Sequence, residues 1–439
     1  MIGTDTIVAC ATPWGRGATS LIRLSGVSAL AIARELCPGG PKWRPRRASL
    51  RRVLDEGEVI DEVLALWMPA PTTYTGEDTV ELSGHGNPVL VEALIDRCLR
   101  AGARMARPGE FTRRAVEHGR MDLLRAEAVA ELIRATSPAG VSLARHGLDG
   151  GLQEAVGGLR ERLMDLAAEL EARLDHPGDD LAFHEDAEVV GLLEAVAADA
   201  SGLADGWRAG RIRLEGARVA LVGPVNAGKS SLFNALVGVT RALVSPEPGT
   251  TRDVVEKSVL IDGLDVTFYD TAGERGDAVG LEAAGQALGR ELTEAVDLRV
   301  VVMPLHRPWE GPPALAAQLV VGTHEDRLDG PPAWSLERTI YRVDGRTGAG
   351  IAGLRVAIRD HLAAAPTDAA ALTTQRQHDL LRAIAGHARA SAAALSGPLG
   401  PAVAAEECTR ALMVQGELTG EDVREGVLDR LFARFCVGK

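Results

Sequence analysis

The stretch GPVNAGKS, residues 223–230, decides how the middle of this chain folds. It fits the pattern GxxxxGK[ST], and its context fits too, because ARVALV before it reads as a buried strand and SSLFNALVG after it as a helix. Its glycines let successive backbone N–H groups turn towards phosphate oxygens at a helix N-terminus, which already favours anions. Lys229 is suited to neutralise β- and γ-phosphate oxygens, and Ser230 to bind Mg²⁺. The stretch predicts a nucleoside triphosphate site.

Two further motifs indicate the class of this nucleotide-binding domain. DTAG at 270–273 follows the strand pattern LDVTFY, so Asp270 is suited to the Mg²⁺ shell through water and Gly273 to a γ-phosphate contact by its N–H. PGTTRD lies between the two motifs, and its Thr251 is a candidate second Mg²⁺ ligand that reports the γ-phosphate as a switch loop does. The three segments together are the pattern of a switch-type P-loop GTPase, not of an ATPase.

The base-reading stretch VVGTHEDR, residues 320–327, departs from the usual NKxD pattern. Asp326 stands where a carboxylate accepts hydrogen bonds from guanine N1–H and the 2-amino group, and adenine would leave that charge unpaired. Thr323 in place of asparagine is expected to lose contacts that shape the pocket, and His324 to stack on the base less well than a lysine stem. The second base loop, VDGRTGAG, departs as well, with Asp344, Gly345 and Arg346. Two alternatives stay open: guanine read with weaker affinity, or weak nucleotide selectivity.

The composition limits the classes of protein to which this chain can belong. The chain has 439 residues, so two or three domains are expected, and its 46% hydrophobic and 25% charged residues are ordinary for a globular protein. No signal peptide or bilayer-spanning apolar run is visible, and the cysteines are scattered and odd in number, so we expect a cytoplasmic protein without a disulfide framework or zinc site. These cysteines are Cys10, Cys37, Cys98, Cys408 and Cys436.

The net charge of −13 means that an RNA partner must meet a local basic patch. The best candidate is WRPRRASLRR at 43–52, followed by FTRRAVEHGR at 111–120. In an arginine-rich chain, a solvated surface is the favoured interpretation of the first stretch.

The pattern along the chain predicts a multidomain fold with an inserted domain. Residues 1–118 mix strand and helix signals, as in an α+β domain, and residues 119–213 carry helical apolar stripes. Residues 214–364 alternate strand and helix signals as a doubly wound α/β domain does, and helical patterns return over 365–439. Since helical segments flank the α/β segment, we expect one helical domain, discontinuous in sequence, with a P-loop GTPase domain inserted into it.

The chain resembles the MnmE (TrmE) family of tRNA-modification GTPases over essentially its whole length. The resemblance rests on motifs that occur in the family's order, several of which have no role in a generic GTPase. These are DTIVACATPWGRGATSLIRLSG, YTGEDTVELSGHGNPVL, RPGEFTRRAVEHGRMDLLRAEAVAELI, the P-loop with GTTRD and DTAG, and the closing RFCVGK.

The resemblance implies a homodimer whose N-terminal domain binds a 5-formyltetrahydrofolate-type folate and dimerises. It implies a flavoprotein partner, the FAD protein MnmG, in a heterotetramer that installs a carboxymethylaminomethyl or aminomethyl group at C5 of the wobble uridine (U34) of tRNA. It further implies a GTP-hydrolysing G domain that uses Mg²⁺ and pairs across the dimer with K⁺, and no membrane association.

Residue by residue, the resemblance assigns folate contacts to Arg23, Glu81, Arg120 and Lys439. Glu81 can accept from pterin N–H groups, and the cations suit carboxylate and carbonyl oxygens. Arg120 departs from the family's lysine. Cys436 matches the family's C-terminal cysteine, and both a role near the folate and a packed cysteine stay open.

The resemblance also assigns the potassium and catalytic residues. Asn226 resembles the side-chain ligand of K⁺, with further oxygens from Ser245, Glu247 and Thr250 in a loop that two prolines stiffen. Glu282 stands at the position of the catalytic glutamate that orients water, with a solvent-facing helix glutamate as the alternative. The expected nucleotide site comprises Asn226, Ala227, Gly228, Lys229, Ser230, Ser231, Ser245, Pro246, Glu247, Pro248, Gly249, Thr250, Thr251, Asp270, Thr271, Ala272, Gly273, Thr323, His324, Asp326, Asp344, Gly345 and Arg346, with Glu282 and Lys229 as catalytic residues.

Two other functions compete with a tRNA-modifying GTPase. A regulatory or assembly GTPase that binds RNA would usually append a basic module, which this acidic sequence does not show. A degenerate paralogue would keep the architecture but cycle nucleotide poorly, and THED and VDGR keep that alternative open.

Overall fold

The computed structural model describes residues 5–175, 183–224, 226–238, 255–270, 296–308, 319–337, 339–362, 372–421 and 425–438. The chain forms two compact units. One unit comprises Met1–Ala130 with Leu412–Lys439, and the other comprises Glu131–Ala411.

The first unit is built on a six-stranded sheet. Its strands are β1 (Ile7–Cys10), β2 (Thr19–Ser25), β3 (Ser49–Asp55), β4 (Glu58–Met68), β5 (Thr79–His85) and β6 (Arg104–Met105). The order is β3-β4-β5-β2-β1-β6, and the pairs are antiparallel except β1 with β6. Buried apolar side chains alternate with more exposed residues along most of β2 to β5, so these strands bury one face of the sheet.

Helices cover that buried face. They are α1 (Ala29–Leu36) and α2 (Pro88–Arg100), which share a core with the sheet that includes Val8, Ile22, Leu24, Val53, Val63, Leu82 and Leu94. The start of α2 is fixed by Asn87, whose side chain accepts a hydrogen bond from the N–H of Val89 over 2.9 Å. Pro88 at the first helical position favours the same start.

The C-terminal segment packs into the same unit. The helices here are α3 (Glu110–Glu117), α4 (Leu123–Arg134) and, after the second unit, the last helix at Glu425–Phe432. Phe432 and Phe435 pack against Leu123 and Ala126 of α4. This packing returns the end of the chain to the N-terminal sheet.

The second unit combines helices with an α/β sheet. Its helices include α5 (Pro138–Asp149), α6 (Gly151–Asp175), α7 (Asp186–Asp205), α8 (Trp207–Glu215), α9 (Lys229–Gly238), α10 (Ile351–Leu362), α11 (Gln375–Ser396) and α12 (Gly400–Thr419). The last helix of the chain is therefore α13. Helices α7 and α11 pack extensively against each other although the α/β segment separates them in sequence. The two helical segments thus form one helical domain around an insertion.

The inserted sheet has the order β12-β11-β10-β7-β9-β8. Its strands are β7 (Ala217–Val222), β8 (Val255–Ile261), β9 (Leu264–Asp270), β10 (Leu298–Pro304), β11 (Leu319–Thr323) and β12 (Ile340–Arg342). All pairs are parallel except β8 with β9. Parallel strands end at one edge, where such folds bind ligands. The predicted fold class is confirmed, while the domain limits 118, 213 and 364 stay predictions. In the ranges above, no helix has the length and apolar character that crossing a membrane requires.

Candidate functional site

The P-loop joins β7 to α9 and has the backbone that its glycines predict. Gly223 has φ 155°, and a Cβ there would lie 2.1 Å from the carbonyl oxygen of Val302. Asn226 at φ 60° and Gly228 at φ 89° are left-handed as well. Residues of this conformation turn successive N–H groups to one side, which produces a concave anion site at the start of a helix.

Lys229 lies inside this loop. Its Nζ donates hydrogen bonds to the carbonyl oxygens of Gly223 over 2.7 Å and of Pro224 over 2.9 Å. The lysine is buried, whereas Asn226 and Ser230 are exposed at the mouth of the loop. A compact ammonium can exchange carbonyl oxygens for phosphate oxygens, so the loop is charged and shaped for a polyphosphate.

The THED stretch is fastened to the P-loop by its first two residues. The hydroxyl of Thr323, which is 4% exposed, donates to the carbonyl oxygen of Ala227 over 2.6 Å. His324, with φ 56°, has its Nε2 3.3 Å from the carbonyl oxygen of Asn226. The expectation that threonine loses the contacts that shape the pocket is therefore corrected, because its hydroxyl reaches the P-loop backbone.

His306 is a neighbour of this site that sequence reasoning did not single out. Its ring meets that of His324 edge to face, with centroids 5.6 Å apart. Burial lowers the pKa of His306, and the charges of His324, Arg307 and Arg327 act in the same direction. The available signal was its position two residues beyond β10, at the carboxyl edge of the sheet.

The second base loop also reaches the P-loop helix. A Cβ on Gly345 would lie 2.7 Å from the backbone carbon of Ser231, in the first turn of α9. Asp344 accepts from the N–H of Arg346 and the hydroxyl of Thr347, both over 2.8 Å, and the first of these bonds is the largest cause that lowers its pKa. The Asp344 carboxylate thus stabilises the loop to which it belongs.

An ion pair joins the two base loops. Arg342 donates to Glu325 over 2.7 Å, and Asp326, next to Glu325, is exposed. The structure therefore brings both base loops to the P-loop and leaves the Asp326 carboxylate facing solvent.

The first unit brings two of the expected folate residues together. Arg23 on β2 and Glu81 on β5 are directly opposite each other, and Nε of Arg23 donates to Oε1 of Glu81 over 2.9 Å. The side chains are 16% and 21% exposed. Arg23 Nη1 also donates to the carbonyl oxygen of Gly438 over 3.4 Å, and its guanidinium lies 5.8 Å from the ring centroid of Phe111.

Arg120 is connected to this region through Thr73. Its Nε donates to the carbonyl oxygen of Thr73 over 3.1 Å. The next residue, Tyr74, has its hydroxyl 2.8 Å from Thr112 Oγ1. Burial raises the pKa of Tyr74, and the nearby charge of Arg23 opposes that shift. Tyr74 is a further candidate that the motif YTGED contains but to which no role was assigned.

Comparison with known proteins finds matches to family models in both units. Residues 6–120 match the model of the GTP-binding protein TrmE N-terminus, and residues 123–436 match the model of the MnmE helical domain. The chain belongs to the MnmE family of tRNA modification GTPases.

Relatives of the same family name align end to end. The tRNA modification GTPase MnmE of Myxococcus xanthus is 43% identical over 449 residues, which covers 99% of both chains. Those of Symbiobacterium thermophilum and Synechococcus sp. strain CC9605 are 38% and 40% identical and cover 100% of both chains. Among solved structures, the G domain of the T. maritima FeoB iron transporter aligns with 33% of this chain and 98% of its own at 23% identity, with a TM-score of 0.25.

The closing motif of the MnmE family is seated on the N-terminal sheet. Gly438 has φ 95°, and a Cβ on it would lie 2.4 Å from the carbonyl oxygen of Cys10 at the end of β1. The carbonyl oxygen of Cys436 accepts from the N–H of Gly109 over 3.3 Å, and this cysteine is exposed rather than packed.

Part of the expected MnmE site lies outside the described residues. Asp270 is the last residue of β9 and pairs with Leu221 of β7, so its backbone lies beside the strand that leads to the P-loop. The residues outside are Ser245, Pro246, Glu247, Pro248, Gly249, Thr250, Thr251, Thr271, Ala272, Gly273, Glu282 and Lys439.

Proposed function

We propose that this chain hydrolyses GTP as the nucleotide-cycling subunit of an enzyme that modifies C5 of the tRNA wobble uridine U34. The added group is carboxymethylaminomethyl or aminomethyl, and its one-carbon unit comes from a 5-formyltetrahydrofolate-type folate. The chain acts in the cytoplasm as a homodimer with an FAD-containing flavoprotein of the MnmG type. The observation that carries the proposal is the hydrogen bond from Arg23 to Gly438, which seats the FCVGK tail at the Arg23–Glu81 pair.

The residues around that pair fit a reduced folate. Oε1 of Glu81 accepts from Arg23, whereas Oε2 accepts from no described residue and is available to pterin N–H groups. A guanidinium has five N–H donors, so Arg23 can hold Glu81 and still donate to a ligand. Arg120 and Lys439 supply further cations for carboxylate and carbonyl oxygens. An assembly GTPase that binds RNA without folate chemistry would not require these residues to lie together.

The P-loop residues fit GTP with its metal ions. Lys229 would exchange its carbonyl partners for β- and γ-phosphate oxygens, and Ser230 and Thr251 would bind Mg²⁺. Asn226, Ser245, Glu247 and Thr250 would hold K⁺. Bound cations here supply positive charge where negative charge develops during hydrolysis. Glu282 would orient the attacking water.

The two base loops also support a second candidate function, which is tested together with the first. Asp326 is exposed and Asp344 is engaged within its own loop, so a paralogue of the same architecture with lost guanine selectivity is the competing proposal. In the first candidate, Asp326 accepts from guanine N1–H and the 2-amino group once the base covers it.

Steady-state hydrolysis of GTP, ATP and XTP by the purified chain, in KCl and in NaCl, separates the two candidates. GTP turnover well above ATP turnover, and faster in potassium, is expected for the first. Equal turnover of the three nucleotides would favour the second. Expression in a bacterial strain that lacks its own MnmE, followed by mass spectrometry of tRNA nucleosides, tests the modification itself. Unmodified wobble uridine in a strain that makes folded, GTP-hydrolysing chain would refute the proposed function.

A further inference from the structure

The segment from Lys42 to Arg47, here called the basic loop, concentrates positive charge in an acidic protein. Residues 42–52 contain six Lys or Arg, and no Asp or Glu occurs between residues 36 and 54, although the net charge is −13. In the structure, the cations of the basic loop are exposed, namely Lys42, Arg44, Arg46 and Arg47. A local patch of this kind is what an acidic protein needs to meet a polyanion.

Three of these cations have no partner in the described part of the chain. The side chains of Lys42, Arg44 and Arg47 make no hydrogen bond and no ion pair with any residue that the structure describes. The other basic stretch, at 111–120, behaves differently. Arg113 pairs with Glu117 and Asp429, and Arg114, only 4% exposed, pairs with Asp5, Glu77 and Glu110. Of these two basic stretches, the basic loop is the one in which several exposed cations have no partner among the described residues.

The contacts that hold the basic loop in shape are made by other residues, and not by the side chains of Lys42, Arg44 and Arg47. Arg51 is 4% exposed, stacks on the Trp43 ring at 3.8 Å and donates to the carbonyl oxygens of Gly39 and Pro41 over 3.3 and 2.6 Å. Arg46 has φ 55°, a conformation that costs energy in a non-glycine residue, and its N–H donates to the carbonyl oxygen of Trp67 over 2.8 Å. A fixed loop presents its cations with little loss of entropy on binding.

The basic loop is also tied to the candidate folate site. Arg46 Nη2 donates to the carbonyl and, over 2.6 Å, to the hydroxyl of Thr72. Arg120 donates to the carbonyl of the next residue, Thr73. A polyanion on the basic loop would therefore lie near the residues proposed to hold the one-carbon donor.

We propose that the basic loop docks the phosphate backbone of the tRNA substrate, with Lys42, Arg44 and Arg47 as phosphate contacts. This inference rests on the proposed function and adds to it the surface that meets the RNA. Arginine forks and a lysine point charge suit phosphate oxygens, and their contacts give affinity without reading sequence. Each contact also releases counterions, so it adds to the salt dependence of binding.

The test is tRNA binding by the full-length chain, measured by fluorescence anisotropy between 50 and 200 mM KCl. The variant Lys42→Ala/Arg44→Ala/Arg47→Ala is expected to bind tRNA about tenfold or more weakly, with the slope of log affinity against log salt reduced by about 2–3. Lys42→Arg/Arg44→Lys/Arg47→Lys keeps the charges and is expected to bind like the wild type. The matched control, Arg145→Ala/Arg389→Ala/Arg430→Ala, removes the same charge from exposed positions elsewhere.

The outcomes separate this inference from the proposed function. If the loop variant keeps its melting temperature and GTP hydrolysis but loses tRNA affinity relative to the control, the docking surface is supported. If it binds tRNA like the control while the wild type binds well, the loop faces solvent or a protein partner. The inference then fails and the proposed function stands. If the wild-type chain binds no tRNA, the inference also fails, and the nucleoside analysis decides separately whether the proposed function stands.

Discussion

The hydroxyl of Thr323 and the carbonyl oxygen of Ala227 lie 2.6 Å apart, which fastens the base-reading stretch to the P-loop. The two residues are 96 positions apart in sequence, and both are buried. Because this hydrogen bond joins the phosphate-binding loop to the base-reading loop, it fixes the position of one loop relative to the other. This relationship explains how the THED stretch can still serve a nucleotide site.

Replacing Thr323 by valine removes the hydroxyl and keeps the shape. The carbonyl oxygen of Ala227 then loses its buried donor, which costs about 1–3 kcal/mol. We expect a fluorescent GDP analogue to bind roughly 5- to 100-fold more weakly. Thr323→Ser keeps the hydroxyl and is the control. Equal affinity of the valine variant and the wild type would show that the bond does not shape the site.

Replacing Asp326 by asparagine changes which base the site prefers. The carboxylate matches the N1–H and 2-amino donors of guanine, whereas an amide can donate to the C2 carbonyl of xanthine. The ratio of kcat/KM for GTP over XTP is expected to fall about 100-fold or more. Asp329→Asn, at an exposed position two residues beyond the same stretch, is the control. An unchanged ratio would mean that Asp326 does not read the base.

The Arg23–Glu81 pair is expected to control folate binding without affecting GTP hydrolysis. Arg23→Ala and Glu81→Gln each remove a charge-assisted hydrogen bond, so 5-formyltetrahydrofolate should bind about 10- to 100-fold more weakly by titration calorimetry. The matched control is the exposed pair of Arg52 and Glu62 on β3 and β4, changed to alanine and glutamine. Equal losses in both pairs, or a parallel loss of GTP hydrolysis, would argue against a folate contact.

The stability of the N-terminal unit is expected to fall in acid partly through Asp5. The hydrogen bond from Arg104 lowers the pKa of Asp5, burial opposes it, and the bond from Arg114 adds to the lowering. The pKa of Asp5 is lower in the folded than in the unfolded state, so the ionised side chain stabilises the fold at pH values above its unfolded-state pKa of about 3.9. This stabilisation is lost as the pH falls through the folded-state pKa of Asp5. The melting temperature of Asp5→Asn should therefore depend less on pH between 5 and 3 than that of the wild type. Parallel curves for the two proteins would contradict this.

Local motifs predicted the elements around the P-loop well because the backbone preferences of such a motif are contained in a few consecutive residues. The P-loop at 223–230 lies between a strand and a helix as expected, and Asp270 ends the strand before DTAG. The sequence of the THED stretch did not reveal the contact of Thr323 with Ala227, because a side chain's partner across the sheet depends on how the strands are ordered. His306 and Tyr74 were missed for the same reason.

The amino-acid sequence by itself determined the fold class, the P-loop and the membership of the MnmE family, since these follow from residue patterns and local backbone preferences. Tertiary structure alone decided which cations are free. Arg113 and Arg114 are consumed by ion pairs, whereas Lys42, Arg44 and Arg47 have none with the described residues. It also placed Gly438 at Arg23, 415 positions away, because long-range packing selects partners that no stretch of sequence contains.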